Sequence, residues 1–189
     1  MDKILIIVDF QKDFYDKENG SLYVEGAEKI VGNICEEIKN EDYVEVVLTK
    51  DWHTKEDKSF KINGGQWPVH CVQYSDGSHI HPDIWGTLHK ENHRVLVKEF
   101  EKGDVADHEE YGAFENIADL NKRVAFTNYR GTSTIVVPKV KFVICGLAGD
   151  YCVWETYKNM RKANLNVEPF YDGIAFIGDK FNYEEKWIG

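Results

Sequence analysis

The chain has 189 residues, with 33 acidic and 23 basic side chains and a formal net charge of −10. Its 42% hydrophobic and 13% aromatic residues predict a single globular domain over residues 1–189 and argue against a disordered, collagenous or coiled-coil chain. The acidic balance, without a basic stripe, argues against nucleic acid as a partner.

Apolar runs and cysteines restrict the expected compartment. No apolar run approaches the roughly 20 residues that a bilayer-crossing helix needs, so no membrane partner is predicted. The N-terminus lacks the apolar length and cleavage site of a secretory signal, and the four cysteines form no CxxC pair. Free thiols and a cytoplasmic location are therefore predicted. The oligomeric state is left open, a homo-oligomer included.

The first part of the chain alternates between strand and helix patterns. A continuous apolar run over residues 3–9 ends in Asp9 and predicts a strand buried on both faces of a parallel sheet. Apolar residues at helical spacing follow over 27–38. A β-branched strand over 43–50 then runs straight into Asp51.

The second part continues this alternation after a long loop. Residues 54–92 are rich in glycine and proline, which predicts an ordered loop with one short helix over 82–88. The later predicted elements are strands over 94–100 and 140–146, a helix from Cys152, a strand over 167–171, and turn and strand over 121–139.

This order of elements predicts a three-layer α/β/α fold around a doubly wound, mostly parallel, Rossmann-like sheet. In such sheets ligands bind outside the carboxyl ends of the strands. Asp9, Asp51, His53 and the turn before Cys152 all fall at that edge. We therefore expect the functional site there.

Cys152 is the strongest single candidate for chemistry. The segment Gly146-Leu-Ala-Gly-Asp-Tyr-Cys152 leads from a strand through a tight turn to a helix N-terminus. Free N–H groups and the helix dipole there are expected to lower the thiol pKa, favour the thiolate and hold an oxyanion. Packing explains Cys35, Cys71 and Cys145 better, and a structural role is also the alternative for Cys152.

A thiol nucleophile needs a base and a compensating charge. Asp9 is the candidate base, with a turn or cap residue as the alternative. A lysine at the end of the third strand would keep both groups ionised, and Lys98 and Lys102 are the candidates.

Three side chains indicate a metal site. Asp51, His53 and His70 offer a carboxylate and two imidazoles, a set that suits zinc, iron or manganese. His79 and His81 form a rival pair in the same loop.

Five motifs follow one another along nearly the whole chain, namely Asp9-Phe-Gln-Lys-Asp-Phe14, Asp51-Trp-His53, Trp67-Pro-Val-His-Cys71, Lys102-Gly103 and Gly146-Leu-Ala-Gly-Asp-Tyr-Cys-Val153. Together they resemble the nicotinamidase/pyrazinamidase branch of the isochorismatase-like cysteine hydrolases. The second and third motifs carry the metal-ligand candidates, which metal-free relatives of the same fold generally lack.

The resemblance implies roles for the candidate residues. Asp9 would be the general base, Lys102 rather than Lys98 the charge-stabilising lysine, and Cys152 the nucleophile. The backbone N–H groups of Ala148 and Cys152 would form the oxyanion hole, and the peptide bond before Ala148 would be cis.

The resemblance also implies a cofactor and a substrate. One divalent metal ion, zinc, iron or manganese, would be held by Asp51, His53, Asp57 and His70. A flat pyridine ring would lie in a pocket lined by Phe14, Trp67, Tyr111 and Ala148. The implied reaction converts nicotinamide or pyrazinamide to the acid and ammonia through a thioester, in NAD salvage.

Some positions depart from the family pattern. Asp57 stands where histidine is usual, and Gly112 stands where the family has serine. Residues 121–139 lack the usual helix pattern, and the chain ends early at Gly189. The alternatives are therefore a metal-independent hydrolase of another small amide, a binding protein without turnover, or a zinc-water hydrolase in which Cys152 is structural.

Overall fold

A computed structural model describes residues 1–91, 94–115 and 140–178. Within these ranges five strands form one parallel sheet. They are β1 (Asp2–Val8), β2 (Tyr43–Asp51), β3 (Leu96–Lys102), β4 (Val140–Gly146) and β5 (Asn166–Ile174). The helices are α1 (Lys12–Tyr15), α2 (Ala27–Asn40), α3 (Pro82–Lys90) and α4 (Cys152–Lys162), with 3-10 turns at Lys61–Asn63 and Asp76–Ser78. None of the helices in these ranges is long and apolar enough to span a membrane. The predictions for residues 121–139 and for the chain end lie outside the described ranges.

Apolar patterning explains the layers. All residues from Ile4 to Val8 are fully buried, as expected for a central strand covered on both faces. Helix α2 buries one stripe and packs against β5 and α3. These elements confirm the predicted strand over 3–9, the predicted helix over 27–38 and the doubly wound parallel sheet.

The strand order places the site. The order is β3-β2-β1-β4-β5, so the direction of winding reverses between β1 and β4. Ligands of doubly wound sheets bind at the carboxyl ends of the two strands that flank this reversal. Asp9 directly follows β1, and the turn leading to Cys152 directly follows β4.

Gly146 is required where β4 meets this turn. Its φ angle is 118°, in the region that favours glycine, and a Cβ atom would lie 2.1 Å from the carbonyl oxygen of Val8. The backbone can therefore pass close to the end of β1 only with glycine at this position.

Strand β3 begins two residues later than predicted. Arg94 and Val95 still donate backbone hydrogen bonds to the carbonyl oxygen of Glu91, at the end of α3. The strand also ends two residues later than predicted, at Lys102, which pairs in register with Asp51 of β2. Strand β5 is also longer than predicted and extends to Ile174.

Candidate active site

A buried ionic cluster joins the ends of three strands with the start of α4. Lys102 Nζ lies 2.8 Å from Asp9 Oδ2 and also forms a very short ion pair with Asp51 Oδ1. Its distance to Cys152 Sγ is 3.8 Å. All four residues are buried, with at most 7% of their surface exposed. The structure thus brings together the predicted base, lysine and nucleophile.

Lys98, the other candidate lysine, lies elsewhere. Its Nζ forms an ion pair with Glu45 Oε2 at 2.9 Å, toward the start of β2. Lys98 and Lys102 point to the same face of β3, but four residues of strand separate them by about 13 Å. Only Lys102 therefore reaches the strand ends where Asp9 and Cys152 lie.

Asp9 is held by a residue that the sequence analysis did not select. The Thr49 hydroxyl donates to Asp9 Oδ1 at 2.7 Å, and the Asp9 N–H donates to the Thr49 carbonyl oxygen at 3.1 Å. Asp9 has a φ angle of 46°, a left-handed conformation that aspartate tolerates better than most residues. The available signal was the position of Thr49, two residues before Asp51 at the end of the neighbouring strand.

The charges in the cluster are strongly coupled. Burial raises the pKa of Asp9 to about 6, although Lys102 opposes this rise. Burial also disfavours the charge of Lys102, but Asp51 and Asp9 outweigh it and hold the pKa of Lys102 well above its usual range. For Asp51 the burial effect is outweighed by Lys102 and the neighbouring histidines, so its pKa is lowered.

The thiol of Cys152 differs from the prediction. Burial raises its pKa well above the ordinary value; Lys102 opposes the rise, while Asp9 and Asp51 add to it. The sequence-based expectation of a lowered thiol pKa is therefore wrong, because it considered the helix terminus without burial and the two carboxylates. A raised pKa favours the neutral thiol, which needs a base to become a nucleophile. Reactive atoms of Asp9, Asp51 and Cys152 lie within 4.8 Å of one another.

The turn before α4 offers two backbone donors. The N–H groups of Ala148 and Cys152 donate hydrogen bonds to no other described residue, whereas the N–H of Leu147 donates to the end of β1 at 2.9 Å. The peptide bond between Leu147 and Ala148 is cis, as the resemblance implies. Two free donors beside a thiol are suited to binding an oxyanion.

Asp51 also faces two histidines. Its Oδ2 atom lies 3.6 Å from His53 Nε2 and 3.8 Å from His70 Nε2, while Oδ1 faces Lys102. One ligand atom from each of these three residues falls within 4.8 Å of the other two. A carboxylate with two imidazoles that converge in this way fits a single divalent transition metal.

The remaining metal candidates lie outside this cluster. The Asp57 carboxylate contacts Nδ1 of His53, the ring nitrogen opposite the one that faces Asp51. His79 is exposed and contacts Asp76, whereas His81 accepts a hydrogen bond at the N-terminus of α3. The geometry therefore does not place Asp57 with Asp51 as a fourth ligand.

A pocket opens to the surface beside these groups. It is lined by all four residues predicted to contact the substrate, namely Phe14, Trp67, Tyr111 and Ala148, and by Asp51, His53, His70 and Cys152. Six further residues that were not predicted from the sequence also line the pocket, namely Leu22, Ser59, Glu109, Glu110, Tyr151 and Ile177. Of these, Tyr151 had a signal, because it directly precedes Cys152.

Hydrogen bonds join two loops at one wall of the pocket. The indole N–H of Trp67 lies 2.9 Å from Tyr111 Oη and 3.1 Å from Glu109 Oε1, and Tyr111 donates a short bond to Glu109. The ring of Tyr151 packs edge-on against Trp67 at 5.3 Å. Burial, followed by the bond to Glu109, raises the pKa of Tyr111 to about 12, so this wall carries a neutral phenol.

The polar residues Gln11 and Asp13 of the motif Asp9-Phe-Gln-Lys-Asp-Phe14 hold neighbouring segments of the site in place. The Gln11 side chain donates to the Asp51 carbonyl oxygen at 2.8 Å and accepts from the Asp51 N–H at 2.8 Å, which ties the ends of β1 and β2 together. Asp13 Oδ2 accepts from the Cys71 N–H at 2.7 Å and thereby holds the segment that carries His70. Both residues position other elements of the site.

Gly112 leaves no space for the serine that the family pattern has there. A Cβ atom would lie 2.7 Å from the carbonyl carbon of Glu155 and 2.9 Å from Asn159 Nδ2, both on α4. The hydroxyl of Thr156 instead accepts from the Ala113 N–H at 3.0 Å and holds the loop that contains Tyr111.

Comparison with known proteins supports the resemblance. The chain matches no family model. Three nicotinamidases are 27–29% identical to it, and that of Acinetobacter baylyi is 28% identical over 202 residues, covering 97% of this chain and 86% of that protein.

Solved structures extend this similarity to three dimensions. The pyrazinamidase of Pyrococcus horikoshii in complex with zinc is 28% identical, with a TM-score of 0.71, and the match covers 100% of this chain and 93% of that one. PnC1 from L. infantum in complex with nicotinate is 28% identical, with a TM-score of 0.75, over 98% and 86% of the two chains. The predicted isochorismatase-like α/β/α fold is confirmed, and so is the resemblance to nicotinamidases.

Proposed function

We propose that this chain is a nicotinamidase, an amidohydrolase that converts nicotinamide, and also pyrazinamide, to the corresponding acid and ammonia. The observation that carries this proposal is the buried cluster of Asp9, Lys102 and Cys152 beside a pocket that also contains Asp51 and two histidines. The reaction belongs to NAD salvage, and the whole chain acts as one hydrolase domain.

The first half of the reaction forms a thioester. Asp9 accepts the thiol proton of Cys152, and the sulfur attacks the carboxamide carbon of nicotinamide. The carbonyl oxygen becomes an oxyanion that the N–H groups of Ala148 and Cys152 stabilise. Asp9 then returns the proton to the amide nitrogen, the C–N bond breaks and ammonia leaves.

The second half uses water. Asp9 accepts a proton from a water molecule, whose oxygen attacks the thioester carbon. The C–S bond breaks, and the proton returns to the sulfur of Cys152 as the acid product leaves. Lys102 stays charged throughout and opposes the rise of the Asp9 pKa that burial causes. Because this pKa is about 6, the carboxylate form of Asp9 is available as a base at neutral pH.

One divalent metal ion would be held by Asp51, His53 and His70. When bound, it would supply a positive centre that anchors the pyridine nitrogen and orders water. The zinc in the related pyrazinamidase structure favours zinc for this site, with iron and manganese as the other candidates.

The aromatic pocket supports a flat heteroaromatic substrate. Phe14, Trp67 and Tyr111 offer ring faces and edges around the space beside Cys152. We propose these side chains and Ala148 as the substrate contacts. The four free cysteines support a reducing, cytoplasmic compartment for the enzyme.

The direct test is ammonia release from nicotinamide by the purified protein. The rate is measured before chelation, after chelation, and after zinc, iron or manganese is added back. We expect release that is lost on chelation and restored by at least one metal. A full rate in the chelated protein would favour a metal-independent hydrolase. Binding of nicotinamide without release under any condition would favour a binding protein without turnover.

A further inference from the structure

We infer that Asp57 positions His53 for metal binding and is not itself a ligand. This inference deepens the proposed function and rests on the metal site described above. Asp57 is only 2% exposed, and its Oδ2 atom lies 2.9 Å from Nδ1 of His53. The other nitrogen of the same ring, Nε2, lies 3.6 Å from Asp51.

The contact determines which nitrogen carries the proton. A carboxylate can only accept a hydrogen bond, so Nδ1 of His53 must donate, and the lone pair of the neutral ring is then on Nε2. This is the nitrogen that faces Asp51. Asp57 therefore selects the tautomer and orients the ring so that Nε2 points into the cluster.

His70 has the same arrangement with a different acceptor. Its Nδ1 lies 2.8 Å from the carbonyl oxygen of Pro68, and its Nε2 faces Asp51 at 3.8 Å. In both histidines Nδ1 therefore contacts an oxygen acceptor, and Nε2 points toward Asp51. Metal-binding histidines typically have such outer partners, which are carboxylates or backbone carbonyls.

The Asp57 carboxylate is itself fixed in place. Its Oδ1 atom accepts from the Ser59 N–H at 2.8 Å, which leaves Oδ2 for His53. The Asp57 carbonyl oxygen accepts from the Asn63 side chain at 2.7 Å, and its N–H donates to Thr54 at 3.2 Å. With backbone and side chain both held, Asp57 cannot turn toward the metal site without breaking several hydrogen bonds.

Metal affinity tests this inference independently of catalysis. Metal-free wild type, D57A, D57N and D51A are titrated with Zn²⁺ against a chromophoric chelator. We expect D57A to bind zinc about 10–100-fold more weakly, as for other outer-shell partners, and D57N to fall between wild type and D57A because one amide oxygen cannot serve both Ser59 and His53. E56A, which removes an exposed neighbouring carboxylate, should stay within about twofold of wild type.

The visible spectrum of bound Co²⁺ distinguishes positioning from ligation. D57A should keep the band positions of wild type, because the ligand set is unchanged, whereas D51A should alter them. A zinc affinity of D57A and D57N equal to wild type would overturn the inference. So would a D57A spectrum altered in the same way as that of D51A, since Asp57 would then be a ligand.

The outcomes for the two proposals remain separable. Wild type that binds no metal would refute the proposed metal site, and the role of Asp57 with it. Wild type that binds zinc but releases no ammonia would refute the proposed activity alone. Circular dichroism of the metal-free variants identifies any loss of fold, and D57N supplies the answer if D57A does not fold.

Discussion

Replacing Lys102 by methionine tests the buried charge cluster. The substitution removes a cation that lies 2.8 Å from Asp9 and in direct contact with Asp51. At an effective dielectric constant of about 20, charges at that distance attract by about 6 kcal/mol, and part of this is offset because the lysine no longer has to be desolvated. We expect metal-free K102M to lose about 3–5 kcal/mol of unfolding free energy, the usual range for breaking a buried ion pair.

The activity should fall for a related reason. Without Lys102 the carboxyl of Asp9 is left beside Asp51 in a buried environment, and its pKa rises above the present value of about 6. Less of the base form is then available at neutral pH, and kcat/KM should fall about 10²–10⁴-fold, the contribution typical of a general base.

Urea denaturation and ammonia release measure the two effects. The double variant K102M/D9N removes one of the two carboxylates that K102M leaves without a cation, so it should recover part of the lost stability while remaining inactive. K39M, at an exposed position of α2, is the matched control and should change stability by less than about 0.5 kcal/mol. A K102M protein as stable as wild type, or a double variant less stable than K102M, would refute the electrostatic reasoning.

Three further substitutions have defined outcomes. C152A should release no ammonia yet bind nicotinamide with little change by calorimetry; a rate near that of wild type would exclude the thiol mechanism. G112S should lose about 1–3 kcal/mol in thermal denaturation because its Cβ would lie 2.7 Å from the backbone of Glu155, and an unchanged Tm would contradict this. Burial raises the pKa of Glu45, so the wild-type carboxyl favours the fold below its unfolded pKa and loses this advantage as pH rises through its folded pKa. E45Q should therefore gain stability relative to wild type as the pH rises above the unfolded-state pKa of about 4.3, and a constant difference would contradict the assignment.

Local patterns were sufficient to predict most elements. The apolar run of β1, the helical stripe of α2 and the strand that ends at Gly146 follow from residues close together in sequence, and the structure has them almost at the predicted bounds. The candidate residues were also selected locally, because each lies at a strand end or in a turn. Such patterns depend on backbone periodicity and on residue type, which the sequence contains directly.

Tertiary structure decided how those residues act on one another. Pairing of β2 with β3 puts Lys102 opposite Asp51 and leaves Lys98 about 13 Å away, a difference that depends on where β3 begins. Burial beside two carboxylates raises the pKa of Cys152, whereas the sequence predicted a lowered value. The loop places the Asp57 carboxylate against Nδ1 of His53, on the side of the ring that faces away from the metal site. Strand register, burial and the direction of a side chain all depend on segments that are distant in sequence, so they became visible only in the folded chain.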